Sequence, residues 1–292
     1  MKIQRMDRRG FLKYAATGAL GMLAIAQAAQ RQQGQKPGKK GSRKLPVAVQ
    51  LWSVRHEAAK DLPATLRLIK AMGYDGVEFA GFYGWKAKQI AAMLKDIGLQ
   101  CCGTHTPLED LLGDRLPQTV EFNQTIGNRN IVVPSLPGRY QSSADGWKRA
   151  ADLFSELADK LKEYGMRLGY HNHMAEFRPL NGSTGWDLFF SRVSKDVFMQ
   201  LDTGNAAAGG ADPLAVLKRY PGRVRTLHAK PYSKKKPGAV IGEDDLPWKQ
   251  ILDWCITKGG TEWIIVEYEE KAHPELEGVY LCLKGLCKLG YC

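Results

Sequence analysis

The chain has 292 residues, 44% hydrophobic and 25% charged, which is ordinary for a globular protein of one large or two small domains. Its net charge is +12, but residues 1–45 hold eleven basic residues and one acidic residue, which leaves residues 46–292 at +2. A body so close to neutral has no large positive surface for a polyanion, so the charge argues against a nucleic-acid-binding protein.

Residues 1–29 have the features of a targeting signal. The sequence DRRGFLK at residues 7–13 precedes a weakly apolar run at 14–26, which is too short to span a membrane. The RRGFLK core resembles a twin-arginine signal, with Asp7 where Ser or Thr is commoner, and this implies export of a folded protein to the periplasm or beyond. A plain basic amphipathic start is the alternative. Residues 30–45, rich in Gln, Gly and Lys, are predicted to be a disordered linker.

From residue 46 onward, short apolar runs alternate with amphipathic helical patterns in eight rounds. The predicted strands are 47–53, 76–80, 100–105, 130–135, 167–173, 197–202, 224–230 and 263–268. The predicted helices are 62–72, 86–97, 117–126, 144–164, 185–193, 213–219, 246–257 and 275–289.

This alternation predicts that residues 46–292 form one α/β domain, a (β/α)8 TIM barrel, because eight strand-helix units fill the roughly 250 residues typical of that fold. An open doubly wound sheet is the rival, but no G-x-G-x-x-G sequence follows the first strand. In such barrels the active groups project from the carboxyl ends of the strands.

The six cysteines follow no metal-binding spacing and are predicted to be mostly packing residues. A disulfide among the later four, after residue 250, stays open because sequence cannot pair them.

Polar residues cluster at the predicted strand ends, and four of the six histidines are among them. In most proteins a lone histidine there is a hydrogen-bonded structural residue, Asp202 suits a helix cap, and Lys230 with Glu267 suits an internal salt bridge. Their convergence on one rim instead favours a functional site. The residues are Glu78, His105, His171, His173, Asp202, His228, Lys230 and Glu267.

Imidazole and carboxylate side chains together suit one divalent metal ion, Mn²⁺, Co²⁺, Fe²⁺, Mg²⁺ or Zn²⁺. His171 and His173 share the same strand parity, so both are expected to face the barrel lumen. One of the two would then bind the metal while the other transfers a proton.

Residues 46–290 resemble the sugar phosphate isomerases and epimerases of the xylose isomerase-like TIM barrel superfamily. The likeness is specific for the superfamily and not for a substrate. It rests on VQLWSVR at 49–55, GYDGVE at 73–78, YHNHMAEF at 170–177, LDTGN at 201–205 and LHAK at 227–230.

Matched position by position, this resemblance implies a metal site built from His171, Asp202, His228 and Glu267. The strand-five position holds His171 where ketose epimerases have Glu. Because the two Glu ligands of those enzymes also act as opposed acid and base, this departure puts epimerisation in doubt. Glu176 lies close enough in sequence to be a substitute ligand or a substrate contact.

The chemistry that the resemblance implies is removal of a proton beside a metal-polarised carbonyl, giving an enediolate. His173 is the expected base, with Glu267 and Glu176 in reserve. Glu78, His105, Lys230 and Trp52 are expected to contact the substrate. Trp52, Phe79, Phe82 and Trp186 wall the sugar pocket or, as aromatic residues more often do, belong to the core.

The resulting prediction is a metal-dependent isomerase or epimerase of a sugar or keto-sugar. Elimination of a β-substituent by a lyase or dehydratase, from a keto-sugar, keto-inositol or 3-keto glycoside, is the second reading. A sugar-binding protein without turnover is the third. An enzyme resembling endonuclease IV is disfavoured because Asn205 stands where that family has a zinc-binding His. The expected partner is a small sugar-like molecule, without nucleic acid or a stable membrane span, and a homo-oligomer stays open.

Overall fold

The computed structural model describes residues 45–292, which form a closed barrel of eight parallel strands. Each strand pairs with its neighbours along the chain, and the first closes on the last with Val47 opposite Ile264. The predicted (β/α)8 barrel is thus confirmed. The strands are β1 (Val47–Gln50), β2 (Gly76–Phe79), β3 (Gln100–His105), β4 (Asn130–Val133), β5 (Arg167–His171), β6 (Phe198–Asp202), β7 (Thr226–Ala229) and β8 (Trp263–Val266).

Helices flank the barrel strands, and a short antiparallel hairpin of Pro179–Leu180 and Ser183–Thr184 follows β5. Single turns of 3-10 helix lie at Leu51–Val54, Leu108–Leu111 and Ala175–Phe177, and a π-helical turn, Cys255–Gly259, continues the helix Trp248–Trp254. The α-helices are α1 (Arg55–Lys60), α2 (Leu62–Met72), α3 (Ala87–Ile97), α4 (Arg115–Thr125), α5 (Gly138–Gln141), α6 (Ala144–Glu163), α7 (Gly185–Phe190), α8 (Thr203–Ala208), α9 (Pro213–Arg219), α10 (Trp248–Trp254) and α11 (Glu275–Lys288).

Helix α2 shows why local sequence sets the helix bounds. The Asp61 side chain accepts the Ala64 N–H at 2.8 Å and caps the first turn. Gly73, at φ 110°, ends the helix in the left-handed conformation that a residue without Cβ adopts freely. Between these signals Leu66 and Ile69 are fully buried, so the helix packs one apolar face on the barrel.

Six of the eight strands end one to three residues earlier than predicted, and in β1 and β5 a side chain replaces the next backbone pairing. β1 ends at Gln50, whose side chain accepts the Trp52 N–H at 3.0 Å and turns the chain into the 3-10 helix. β5 ends at His171 because the next residue, Asn172, uses its side chain to bond the backbone of Asp202, accepting from its N–H at 2.8 Å and donating to its carbonyl at 3.1 Å. His171 and His173 both line the pocket, but they differ in depth: His171 is 1% exposed, whereas His173, beyond the end of β5, is exposed.

The predicted signal peptide, 1–29, and linker, 30–45, lie outside the described residues apart from Leu45, so both stay predictions. Within residues 45–292 no helix is both long and apolar enough to cross a membrane. A disulfide joins Cys287 and Cys292, while Cys102, Cys255 and Cys282 are buried thiols, as expected of packing residues.

Candidate metal centre and active-site pocket

Four predicted metal ligands come together at the carboxyl ends of strands β5 to β8. His171, Asp202, His228 and Glu267 each offer one ligand atom, and these atoms all lie within 4.8 Å of one another. All four residues are buried. The set predicted from the sequence therefore has the proximity that a single cation requires, and its role as a ligand set stays a prediction.

Asp202 combines the two roles that the sequence left open. Its Oδ1 accepts the Asn205 N–H at 2.6 Å and caps α8. Its Oδ2 has no hydrogen-bond partner among the described residues, although the side chain is fully buried. Burial raises the pKa of Asp202 to about 7, against the lowering effect of Lys230. Since an unpaired buried carboxylate oxygen is costly, this atom fits a bound cation.

His228 lies between two carboxylates. Its Nε2 contacts Glu78 Oε2 at 2.6 Å and its Nδ1 contacts Glu267 Oε2 at 2.7 Å. Burial alone would lower the pKa of His228, but Glu78 and Glu267 raise it to about 10. Without a cation the ring is therefore an imidazolium that donates to both carboxylates, and a cation at Nδ1 would take the place of one proton.

Glu78 lies beneath the ligand atoms. It is fully buried, it does not line the pocket, and it accepts from Gln50 Nε2 at 2.7 Å as well as from His228. Its space depends on Gly103, where an added Cβ would lie 2.5 Å from Glu78 Oε1. Burial acts to raise the pKa of Glu78, but His105 and His228 outweigh it and the pKa is lowered. This placement favours a role in orienting His228 over the predicted substrate contact.

Gln200, which the sequence analysis did not single out, links this carboxylate to two further histidines. Its Nε2 donates to Glu78 Oε1 at 2.8 Å, and because a carboxylate only accepts, the amide orientation is fixed. Gln200 Oε1 therefore accepts from His105 Nε2 at 2.7 Å and from His171 Nδ1 at 3.1 Å. The lone pair of neutral His171 is left on Nε2, the form that a cation requires. The sequence carried one signal for Gln200. It lies two residues before Asp202 in the same strand, so both side chains point to the same side of that strand.

We call Glu78, Gln200, Asp202 and His228 the buried polar layer, since each is 0% exposed. Above it lies a rim of exposed side chains, Trp52, His173 and Glu269. The Trp52 indole N–H donates to Glu269 Oε1 at 2.8 Å.

The remaining predicted residues divide between pocket and support. His105 and His173 line the pocket, as expected for a substrate contact and a base. Glu176 is 1% exposed and accepts from Tyr170 Oη at 2.9 Å and from the His173 backbone N–H at 2.8 Å. This placement favours positioning of the His173 backbone by Glu176 over the predicted roles of base and substitute ligand.

Lys230 forms the internal salt bridge that was the alternative reading. Its Nζ lies 3.0 Å from Glu267 Oε1 and also contacts Glu269, and the side chain is 14% exposed. Burial acts to raise the pKa of Glu267, but Lys230 and His228 hold it well below the usual range. Glu267 is therefore a charged carboxylate suited to hold a cation, and a poor acceptor of a substrate proton.

The pocket above the buried polar layer has a volume of about 720 Å³. Trp52 and Phe82 line it as expected, whereas Phe79 and Trp186 are fully buried core residues and not pocket walls. The cation cluster contributes His171 and Glu267 to one side of this cavity.

The sequence profile of the xylose isomerase-like TIM barrel family matches residues 66–280. The chain belongs to this family. It is similar to the inosose dehydratase of Lacticaseibacillus casei, with 28% identity over 189 residues that cover 53% of this chain and 63% of that enzyme. The chain thus spans less than two thirds of that relative.

Two solved structures share the barrel. A sugar phosphate isomerase/epimerase from Parabacteroides distasonis has 25% identity and a TM-score of 0.71, covering 87% of this chain and 96% of that one. The IOLI protein with a bound zinc atom has 13% identity and a TM-score of 0.63, covering 84% of this chain and 98% of that one. The first agrees with the resemblance read from the sequence, and the second shows the fold alone.

Proposed function

We propose that this protein is a cation-dependent lyase that removes a proton beside the carbonyl of a keto-sugar or keto-inositol, with loss of a β-substituent. The observation that carries the proposal is the unpaired Asp202 Oδ2 within a cluster of four ligand atoms, beside a pocket. The family and the similarity to an inosose dehydratase support a sugar-modifying enzyme.

The ligand atoms would be His171 Nε2, Asp202 Oδ2, His228 Nδ1 and a Glu267 oxygen. A divalent cation held there supplies the charge that polarises a substrate carbonyl and acidifies the adjacent C–H. Two imidazoles with two carboxylates accept Mn²⁺, Co²⁺, Fe²⁺ or Zn²⁺ readily and Mg²⁺ less so. The zinc reported for the IOLI protein is consistent with this donor chemistry.

His173 is the residue best placed to take the proton. It is an exposed histidine in the pocket, and its ring centroid lies 5.0 Å from that of His171. The other two predicted bases are engaged, Glu267 by His228 and Lys230 and Glu176 by Tyr170 and the His173 N–H. A neutral imidazole accepts a proton near neutral pH.

One available base favours elimination over epimerisation. Epimerisation needs acid and base groups on opposite faces of the carbon, whereas elimination needs a base on one face. The electrons of the broken C–H bond form the new double bond, and the β-substituent leaves with the electrons of its own bond. Isomerisation also needs only one base, which returns the proton to the neighbouring carbon. It is therefore the alternative to elimination.

Exchange of deuterium from D₂O into the carbon-bound hydrogen positions of keto-inositol and 3-keto glucosides tests the proposal. We expect Mn²⁺-dependent exchange and an unsaturated ketone product, detected by NMR and ultraviolet absorption. H173N should slow exchange by roughly 10²- to 10⁴-fold while Mn²⁺ affinity is unchanged, because the base is lost and the ligands stay.

The matched control is H273N, which removes a histidine outside the pocket and should leave exchange unaltered. Undiminished exchange in H173N would remove His173 from its role. A rearranged keto-sugar as the sole product would favour the isomerase.

Export by the twin-arginine route is part of the same proposal. It would bring the enzyme to unphosphorylated sugars outside the cytoplasm. Replacement of Arg8 and Arg9 by Lys should leave the protein in the cytoplasmic fraction, measured by immunoblotting, and periplasmic protein in that variant would rule out this route.

A further inference from the structure

We infer that the pocket holds a second ring of the substrate, an aromatic aglycone attached to the sugar that lies at the cation cluster. The inference rests on the proposed function and names its substrate class, an aryl glycoside. It is carried by the size of the pocket and by the chemistry of the wall formed by α4 and the segments after β2, β3 and β4.

The pocket is larger than one sugar ring needs. Its volume of about 720 Å³ falls in the upper half of the roughly 300–1,000 Å³ found for sites that enclose drug-sized ligands. The cation cluster belongs to β5 to β8, while a large part of the pocket lining comes from α4 and from the segments after β2, β3 and β4. A sugar bound at the cluster would therefore leave this second part of the cavity unfilled.

Two phenylalanines in contact form the wall of this second part. The rings of Phe82, after β2, and Phe122, on α4, have centroids 4.0 Å apart and are tilted by 34°. Both side chains are half-buried and both line the pocket, together with Pro107 and Pro134. Such a surface binds a flat apolar ring by burial and by aromatic contact.

Three polar side chains of this wall, those of Thr106, Thr119 and Asn123, are already bonded within the protein. Asn123 accepts from Thr104 Oγ1 at 2.8 Å and donates to the Thr119 carbonyl at 2.8 Å. Thr119 Oγ1 donates to the Asp110 carbonyl at 2.7 Å, and the Thr106 and Thr104 hydroxyls lie 3.1 Å apart. A second sugar ring would find its polar partners mainly in the exposed side chains of Gln118 and Ser135, whereas the two phenylalanine rings offer an aryl group a continuous apolar surface, so the wall favours the aryl group.

The second part of the pocket carries few charged groups, which suits a phenolic leaving group. Among the lining residues that come from α4 and from the segments after β2, β3 and β4, Asp110 is the one titratable side chain, and its carboxylate lies 3.5 Å from the Arg115 guanidinium. This part therefore offers little to protonate a departing oxygen. A phenolic oxygen, with a pKa of about 10 as in tyrosine, leaves as an anion far more easily than an alkoxide.

Calorimetric titration of the Mn²⁺-loaded protein with phenyl β-glucoside, methyl β-glucoside and cellobiose tests the inference. These glucosides lack the keto group, so binding is measured without turnover. We expect phenyl β-glucoside to bind roughly tenfold more tightly than methyl β-glucoside. F122L should abolish this difference while methyl β-glucoside and Mn²⁺ affinities stay as they are.

The control Y140L removes a half-buried aromatic side chain outside this pocket and should keep the preference. Equal affinity for phenyl and methyl glucosides, tighter binding of cellobiose, an F122L effect on both glucosides alike, or no glucoside binding at all would overturn the inference. Exchange into a keto-inositol, which has no aglycone, reports on the proposed function separately.

Discussion

The buried polar layer and the exposed rim above it differ in how their side chains are held. In the layer, polar atoms bond one another across strands, as Gln200 does with Glu78, His105 and His171. At the rim, Trp52 and His173 belong to segments that follow the strand ends and face the cavity. The layer can therefore fix cation ligands before any ligand arrives, whereas the rim is where substrate is contacted. Substitutions in the two regions should affect different measurements.

The largest expected effect comes from D202N. Asn keeps the shape and a capping oxygen but removes the charge of the unpaired Oδ2. Because substitution of an outer partner already costs about 10–100-fold in metal affinity, we expect Mn²⁺ affinity to fall by at least about 100-fold, measured by calorimetry. The rise in melting temperature on addition of Mn²⁺ should vanish with it.

The matched control is D212N, because Asp212 also caps a helix, accepting from the Leu214 N–H at 2.9 Å, and is not among the clustered ligands. Its Mn²⁺ affinity should equal that of the parent protein. If D202N kept the parental Mn²⁺ affinity, Asp202 would not be a cation ligand, and the proposed division of roles between the buried polar layer and the rim would be wrong.

An intermediate effect is expected from Q200M, which keeps side-chain length but removes the acceptor shared by His105 and His171. Mn²⁺ affinity should fall about 10–100-fold, as for other groups that orient metal ligands. Nitrogen-15 NMR should show His171 in both tautomers, and activity lost at low Mn²⁺ should return at high Mn²⁺.

Q141M is the control, because Gln141 lies outside the pocket and its side chain donates to the Leu136 carbonyl at 2.6 Å. A Q200M protein with one His171 tautomer and parental affinity would show that the amide merely fills space.

The smallest effect is expected at the rim, from W52F. The substitution removes the indole N–H bond to Glu269, and an exposed hydrogen bond contributes about 0.5–1.5 kcal/mol, so KM should rise roughly two- to tenfold with kcat and Mn²⁺ affinity unchanged. W85F, outside the pocket, should leave KM as it is. A fall in Mn²⁺ affinity in W52F would mean that rim and layer are not independent.

The sequence was sufficient for the barrel because apolar strands and amphipathic helices alternate at regular lengths. Helices 62–72 and 213–219 are found within the predicted bounds, since capping residues and a terminal Gly or basic residue mark them. The four clustered residues were also predictable, because parallel strands bring their carboxyl ends to one rim.

Depth within the barrel was harder to predict. Glu78 and His105 lie near the carboxyl ends of the neighbouring strands β2 and β3, yet Glu78 is buried and His105 reaches the pocket. The difference depends on an irregular register between Val77 and Glu78 and on the space left at Gly103. Likewise, strand parity could not predict that His173 is more exposed than His171, because β5 ends early through a contact that Asn172 makes with a strand distant in sequence. Such long-range contacts leave no periodic signal.

The Asn172 amide has a consequence for how an ion would enter. By bonding both the N–H and the carbonyl of Asp202, it holds the backbone of this residue in place, while the α8 cap fixes one carboxylate oxygen. The remaining oxygen is thereby preorganised, so capture of an ion requires little loss of conformational entropy and no rearrangement of the strand. The rate at which an ion binds at this centre should then depend on dehydration of the incoming ion and displacement of a proton, without movement of the surrounding backbone.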